Sequence, residues 1–145
     1  MDKLADAKAA LENCEKDADW NNAMGVIALR EEKLDTAAEY FAAANNATAK
    51  ENAAVISILN GDYQAAAAAL ADAKGYNAAL AQLLVGNNAP AAALKCECPQ
   101  VAYLRAVAAA RNGDAAAVNT NLEAAKKCEK LAERAAKDVE FAQYR

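Results

Sequence analysis

The chain has 145 residues, a formal net charge of −4, 56% hydrophobic residues and no histidine. The acidic balance, with lysine and arginine scattered rather than clustered, argues against a nucleic-acid footprint and against attachment to an anionic membrane, both of which need a basic stripe. Without histidine, and with Ser57 as its single serine, the chain lacks the commonest general base, metal ligand and activated nucleophile, so binding rather than catalysis is the expectation.

Alanine supplies much of the apolar content, and only two prolines and five glycines interrupt it. That composition predicts an all-α chain with closely approaching helices, in which the sparser Leu, Ile, Val, Tyr, Phe and Trp anchor each interface. No apolar run reaches bilayer length, because Asp72 ends the run from Ala65 and Arg105 interrupts the one from Val101. The N-terminus lacks the apolar core of a signal peptide.

In chain order, Leu4, Ala7, Leu11 and Cys14 recur on one helical face and predict a helix over Met1 to Glu15. Ala18 to Arg30 forms the second, with Trp20, Met24, Ile27 and Leu29, and Glu31-Glu32-Lys33 is the turn into a third over Leu34 to Ala44. Asn45 and Asn46 suit a helix end followed by a cap, since their side chains bond local backbone. Three further helix pairs follow: Ala49 to Leu59 with Tyr63 to Ala73, Tyr76 to Val85 with Pro90 to Leu94, and Pro99 to Arg111 with Ala115 to Lys126. Gly61, Gly86 and Gly113 supply left-handed helix ends, and the adjacent Asp or Asn can cap the next helix. Pro90 fits a first turn, where its missing N–H costs little. A last helix over Cys128 to Gln143 carries Leu131, Ala135, Val139 and Ala142 on one face.

The recurring phrase matters most: Trp20 to Val26 with Ala37, Phe41 and Ala44; then Gly61-Asp62-Tyr63; Gly86-Asn87-Asn88; and Gly113-Asp114. Repeats at near-fixed spacing indicate units that bury their apolar faces against their neighbours. The unit from Trp20 to Ala44 resembles a tetratricopeptide repeat, with Gly25 at the close-contact position of the first helix and Ala37, Phe41 and Ala44 at the small, large and small seats of the second. Ala54, Ala66, Leu70 and Ala73 take those four seats in the next unit, and Ala106, Val118, Leu122 and Ala125 in the last. The third offers Ala79, Ala91 and Cys98 but puts Lys95 in the large apolar seat, so its second helix should be short. Ala7, Leu11 and Cys14 fit second-helix seats of a unit lacking its first helix, so the chain is expected to begin inside a longer array.

The resemblance implies an α-α superhelix, a solenoid of about four hairpins at 18–45, 48–74, 76–98 and 99–126, with a partial unit over 1–15 and a capping helix at 128–144. It also implies a non-enzymatic scaffold that grips a protein or peptide on the concave face lined by first helices. Position by position, that groove comprises Asn22, Val26 and Leu29; Glu51, Asn52, Val55 and Ile58; Tyr76, Asn77, Leu80 and Leu83; and Tyr103, Val107 and Arg111. The family's carboxylate clamp is not expected, because Asp19, Val26, Thr48 and Ala73 stand in the region that needs cations. Short phrases, such as Asn77 to Leu84 and Ala135 to Ala142, are similar to tetratricopeptide segments in envelope proteins of Gram-negative gut anaerobes. They imply a periplasmic or envelope-associated location, with a cytoplasmic one left open.

Two alternatives stand beside this reading: an enzyme or enzyme subunit, which the absent histidine and the single serine disfavour, and a spacer. The array could be a structural spacer in a larger envelope-associated protein that binds nothing, as a groove filled by the chain's own C-terminal helix would favour. Burial of the apolar groove residues beneath that helix is the competing account of them. Self-association through Leu4 and Leu11 is also expected, since a solenoid end exposes an apolar face. No cofactor or metal is expected, because Cys14, Cys96, Cys98 and Cys128 lack zinc-type pairing. Cys14 and Cys98 sit in small-residue seats and read as buried thiols; a disulfide from Cys128 to Cys96 or Cys98 is the alternative. The carboxylates Glu31, Glu32, Asp35 and Glu39 read as a solvated face, and Trp20 as a helix-pair contact.

Overall fold

The structure, a computed structural model, describes residues 3–145. The described chain is all-helical, and within each of the two compact units it forms, helices adjacent in sequence pack on one another. The units are Met1–Asp72 and Ala73–Arg145.

The first unit holds α1 (Lys3–Leu11), α2 (Ala18–Arg30), α3 (Leu34–Ala44), α4 (Ala47–Leu59) and α5 (Tyr63–Ala69). Each junction carries the local chemistry its turn requires. Asp17 caps α2 by accepting from Trp20 N, Asn45 takes the left-handed conformation that ends α3, and Asn46 caps α4 through Ala49 N. Short turns make α2 with α3 and α4 with α5 helical hairpins. Their contact depends on small residues: Ala37, Ala49, Ala54 and Ala66 are at most 2% exposed, and Phe41 and Leu70 fill the space between.

The second unit comprises α6 (Tyr76–Leu84), α7 (Ala89–Ala92), α8 (Pro99–Arg111), α9 (Ala115–Ala125), α10 (Glu129–Lys137) and a 3-10 segment, Val139–Tyr144. Its core is built on α8, a run of Val101 to Ala110 that is buried at every position except Arg105. Asp114 caps α9 through Ala117 N, and Gly86 and Gly113 take positive φ at the helix ends before α7 and α9. Residues expected at the interhelical seats, Ala79, Ala91, Ala106, Val118, Leu122 and Ala125, are all buried, whereas Lys95 is exposed and α7 is one turn long.

Several expectations need correction. The last helix does not run from Cys128 to Gln143: it stops at Lys137 because Asp138 is extended (φ −71°, ψ 124°). The supposed face therefore breaks, with Val139 84% exposed and Phe141 1% exposed. Cys14 is exposed, since α1 ends at Leu11, and Cys98 is only half-buried at the α8 N-cap. All four cysteines are free thiols, so the disulfide from Cys128 is not formed. The second helix of the second hairpin ends at Ala69 rather than Ala73, since Leu70 already caps it. Of the first predicted helix, Met1 and Asp2 lie outside the described residues.

Glu31 is also more than a solvated turn residue. Its carboxylate accepts from Lys8 Nζ at 2.5 Å and from Lys33 Nζ at 3.0 Å, joining α1 to the α2–α3 turn. The Lys8 ammonium, and then that of Lys33, hold the carboxyl below its ordinary range. Trp20 closes the same corner, donating from Nε1 to Leu11 O at 3.0 Å and meeting Tyr40 edge-on at 5.8 Å.

Candidate functional site

The fourteen positions taken for the groove fall on α2, α4, α6 and α8, the first helix of each hairpin. Those of the two units sit in different surroundings.

In the first unit, α2 and α4 are held side by side by an amide pair, Asn52 Nδ2 donating to Asn22 Oδ1 at 3.0 Å. Both asparagines are half-buried, as are Val26, Leu29, Glu51, Val55 and Ile58. Val26 and Leu29 back onto the core around Phe41. The pair uses one donor and one acceptor, which leaves the Asn22 nitrogen and the Asn52 carbonyl available to solvent or to a ligand. Two amides at this spacing can address the N–H and C=O of an extended backbone, the pairing that peptide-binding faces use. A separate hollow of about 370 Å³ lies beside α1, bordered by Lys8, Leu11, Lys16, Trp20 and Met24, with the Lys16 ammonium 5.4 Å from the indole centre.

In the second unit the corresponding face is covered by the chain's own C-terminal segment. Tyr103 is 6% exposed, donates from its hydroxyl to Asp138 Oδ2 at 2.5 Å and meets Phe141 edge-on at 5.5 Å, while the Arg134 guanidinium lies 5.4 Å from its ring. Loss of solvent, followed by the Asp138 hydrogen bond and charge, pushes the phenol well above its ordinary pKa of 10.0. Arg111 donates from Nε and Nη2 to Glu140 Oε1 at 2.9 and 2.5 Å, and from Nη1 to Leu83 O at 2.6 Å. Tyr144 completes the docking by donating to Ala110 O at 3.1 Å.

A cavity of about 320 Å³ remains between α6, α8 and this segment, bordered by Tyr76, Leu80, Tyr103, Val107 and Arg111 on one side and by Arg134 and Val139 on the other. Tyr76 stays 40% exposed at its edge, and burial of its remaining surface pushes its phenol up. Val107 is 7% exposed, and Asn77, although half-buried on α6, does not line this cavity.

The structure thus unites Asn22 with Asn52, and Tyr76 and Leu80 with Tyr103, Val107 and Arg111. Sequence reasoning missed Asp138, Glu140, Phe141 and Tyr144. A continuous helical period places Phe141 off the apolar face, and only the aspartate at 138, able to cap Glu140 N at 3.0 Å, signals the break. Among the described residues no group of three or more metal-ligating side chains occurs, and no polar or charged side chain is fully buried. In comparisons with models of protein families, with curated proteins and with solved structures, the chain finds no match.

Proposed function

We propose that this chain is a non-enzymatic binding scaffold of the tetratricopeptide kind, taking a protein or peptide on the first-helix face, with Asn22, Glu51, Asn52, Val26 and Val55 as the contact set. The observation that carries this reading is the Asn22–Asn52 pair. It aligns two first helices while leaving amide groups for an extended backbone, on a face whose valines are half-buried. The lack of histidine, the commonest general base, fits a role without catalysis.

A second reading, a spacer that binds nothing itself, draws on the covering of Tyr103, Val107 and Arg111 by residues 138–144. The two are separated by a pull-down from lysate and from isolated envelope, with wild type and an Asn22→Ala/Asn52→Ala variant of unchanged helical circular dichroism as baits. A partner held by wild type and lost by the variant is the expected result. Equal capture by both baits would move the contact elsewhere, and two empty lanes would favour the spacer.

A further inference from the structure

The third hairpin departs from the others in its second helix, which is the short one that the Lys95 seat predicts. Helix α7 stops at Ala92, and the chain runs without helix from Leu94 to Glu97 before Cys98 caps α8. This loop is held at both ends: Arg105 Nη1 donates to Leu94 O at 2.8 Å while its Nε donates to Asn121 Oδ1 at 3.0 Å, and Pro99 restricts the backbone at the start of α8. Between these anchors the Cys96 thiol faces Cys98 Sγ in direct contact, and Cys98 N donates to Cys96 Sγ at 3.3 Å. Cys96 is exposed, Cys98 is half-buried, and neither belongs to an apolar core cluster. Packing therefore does not account for two thiols in this loop, whereas reactivity requires the exposure they have.

We propose that Cys96 and Cys98 form a redox-active dithiol that exchanges with the disulfide of a small thiol. The two sulfurs differ in surroundings. Cys98 stands at the N-cap of α8, where the backbone N–H groups of the first turn favour a thiolate, and the Cys96 thiol donates to it; that contact holds Cys98 below the ordinary thiol range and pushes Cys96 up. Cys98 is therefore the attacking thiolate and Cys96 the resolving thiol. In the first step Cys98 Sγ attacks one sulfur of RS–SR, forming a mixed disulfide and releasing RS⁻. Cys96 then gives its proton to solvent and attacks Cys98 Sγ, forming the Cys96–Cys98 disulfide and releasing the second RS⁻. Both leaving thiolates take up protons, so the dithiol loses two electrons and two protons and RS–SR becomes two RSH.

The unmutated protein permits a direct test, because trypsin cleavage after Lys95 and after Arg105 releases Cys96 and Cys98 on one peptide, without Cys14 or Cys128. The folded chain is equilibrated in glutathione buffers of stepped redox ratio, quenched in acid, alkylated, digested and weighed. The expected result is a single transition in which that peptide loses both alkylatable thiols together and becomes lighter by two hydrogens. In Cys96→Ser the peptide should instead stop as the glutathione mixed disulfide, and Cys98→Ser should react several-fold more slowly at neutral pH than Cys96→Ser. Independent glutathionylation of the two cysteines in the unmutated chain, or no loss of thiols at any ratio, would overturn the proposal. Equal rates for the two serine variants would overturn the assignment of the attacking sulfur.

Discussion

A Cβ at position 25 would lie 2.6 Å from Phe41 Cδ1, and Phe41 is itself 2% exposed, so its ring has nowhere to go. Glycine in a helix normally costs about 1 kcal/mol relative to alanine. Here the close approach of α2 and α3 reverses the sign, because overpacking a dense interface costs about 1–3 kcal/mol. Gly25→Ala should therefore destabilise the protein by up to about 2 kcal/mol, the overpacking cost less the propensity gain, seen as a lower urea midpoint with unchanged slope. A midpoint that rises would mean that the ring yields and helix propensity dominates. The same logic gives the caps their weight: the side chains of Asp62 and Asp114 occupy N–H groups that would otherwise be unpaired at the starts of α5 and α9.

At the scale of elements, the C-terminal segment shows how a tertiary contact overrides a helical pattern. Residues 128–143 could continue as one amphipathic helix, but this would forfeit the Asp138 bond to Tyr103 and the burial of Phe141. The chain instead breaks at Asp138 and resumes as a 3-10 segment, with Arg111 and Tyr103 each meeting a carboxylate. The covering should depend on Phe141 and be indifferent to Val139. Phe141→Ala is expected to cost about 3–5 kcal/mol, the range for an emptied aromatic site, and to speed amide exchange across 139–144. Val139→Ser should stay within about 0.5 kcal/mol. Thermal denaturation and hydrogen exchange of the two variants check both, and the opposite ranking would restore the continuous helix with Val139 on its buried face.

For the whole molecule, each unit carries a core of its own. One centres on Phe41 with Ala28, Ala37, Ala44 and Ile56, the other on α8 with Leu83, Val118, Leu122 and Phe141. Fragments 1–72 and 73–145 should each be helical by circular dichroism, and the second, with its larger buried cluster, should unfold at the higher temperature. A fragment 73–145 without a cooperative transition would show that its core needs the rest of the chain.

Much of this fold was legible in the residues. Helices α2, α3 and α8 begin and end where periodicity and capping placed them, because Asp17, Asn45, Asn46 and Pro99 act on backbone within a few residues of themselves. The burial of Ala37, Ala66, Ala106 and Val118 was likewise readable, since only small residues suit closely packed helices. The candidate site was legible as a row of positions on first helices, but not in its state. Whether Tyr103 and Arg111 face a partner or their own chain depends on Asp138 and Glu140, 35 and 29 residues away. The pairing of Asn22 with Asn52 is equally long-range, and the approach of Cys96 to Cys98 depends on an unwound loop that Arg105 secures from α8. By itself the sequence determined what hydrogen bonding and packing over one or two turns can dictate: helix type, most boundaries and the small-residue seats. The tertiary structure decided where the last helix breaks and what covers the α8 face, because those outcomes rest on burial and charge pairing between segments whose separation carries no periodic signal.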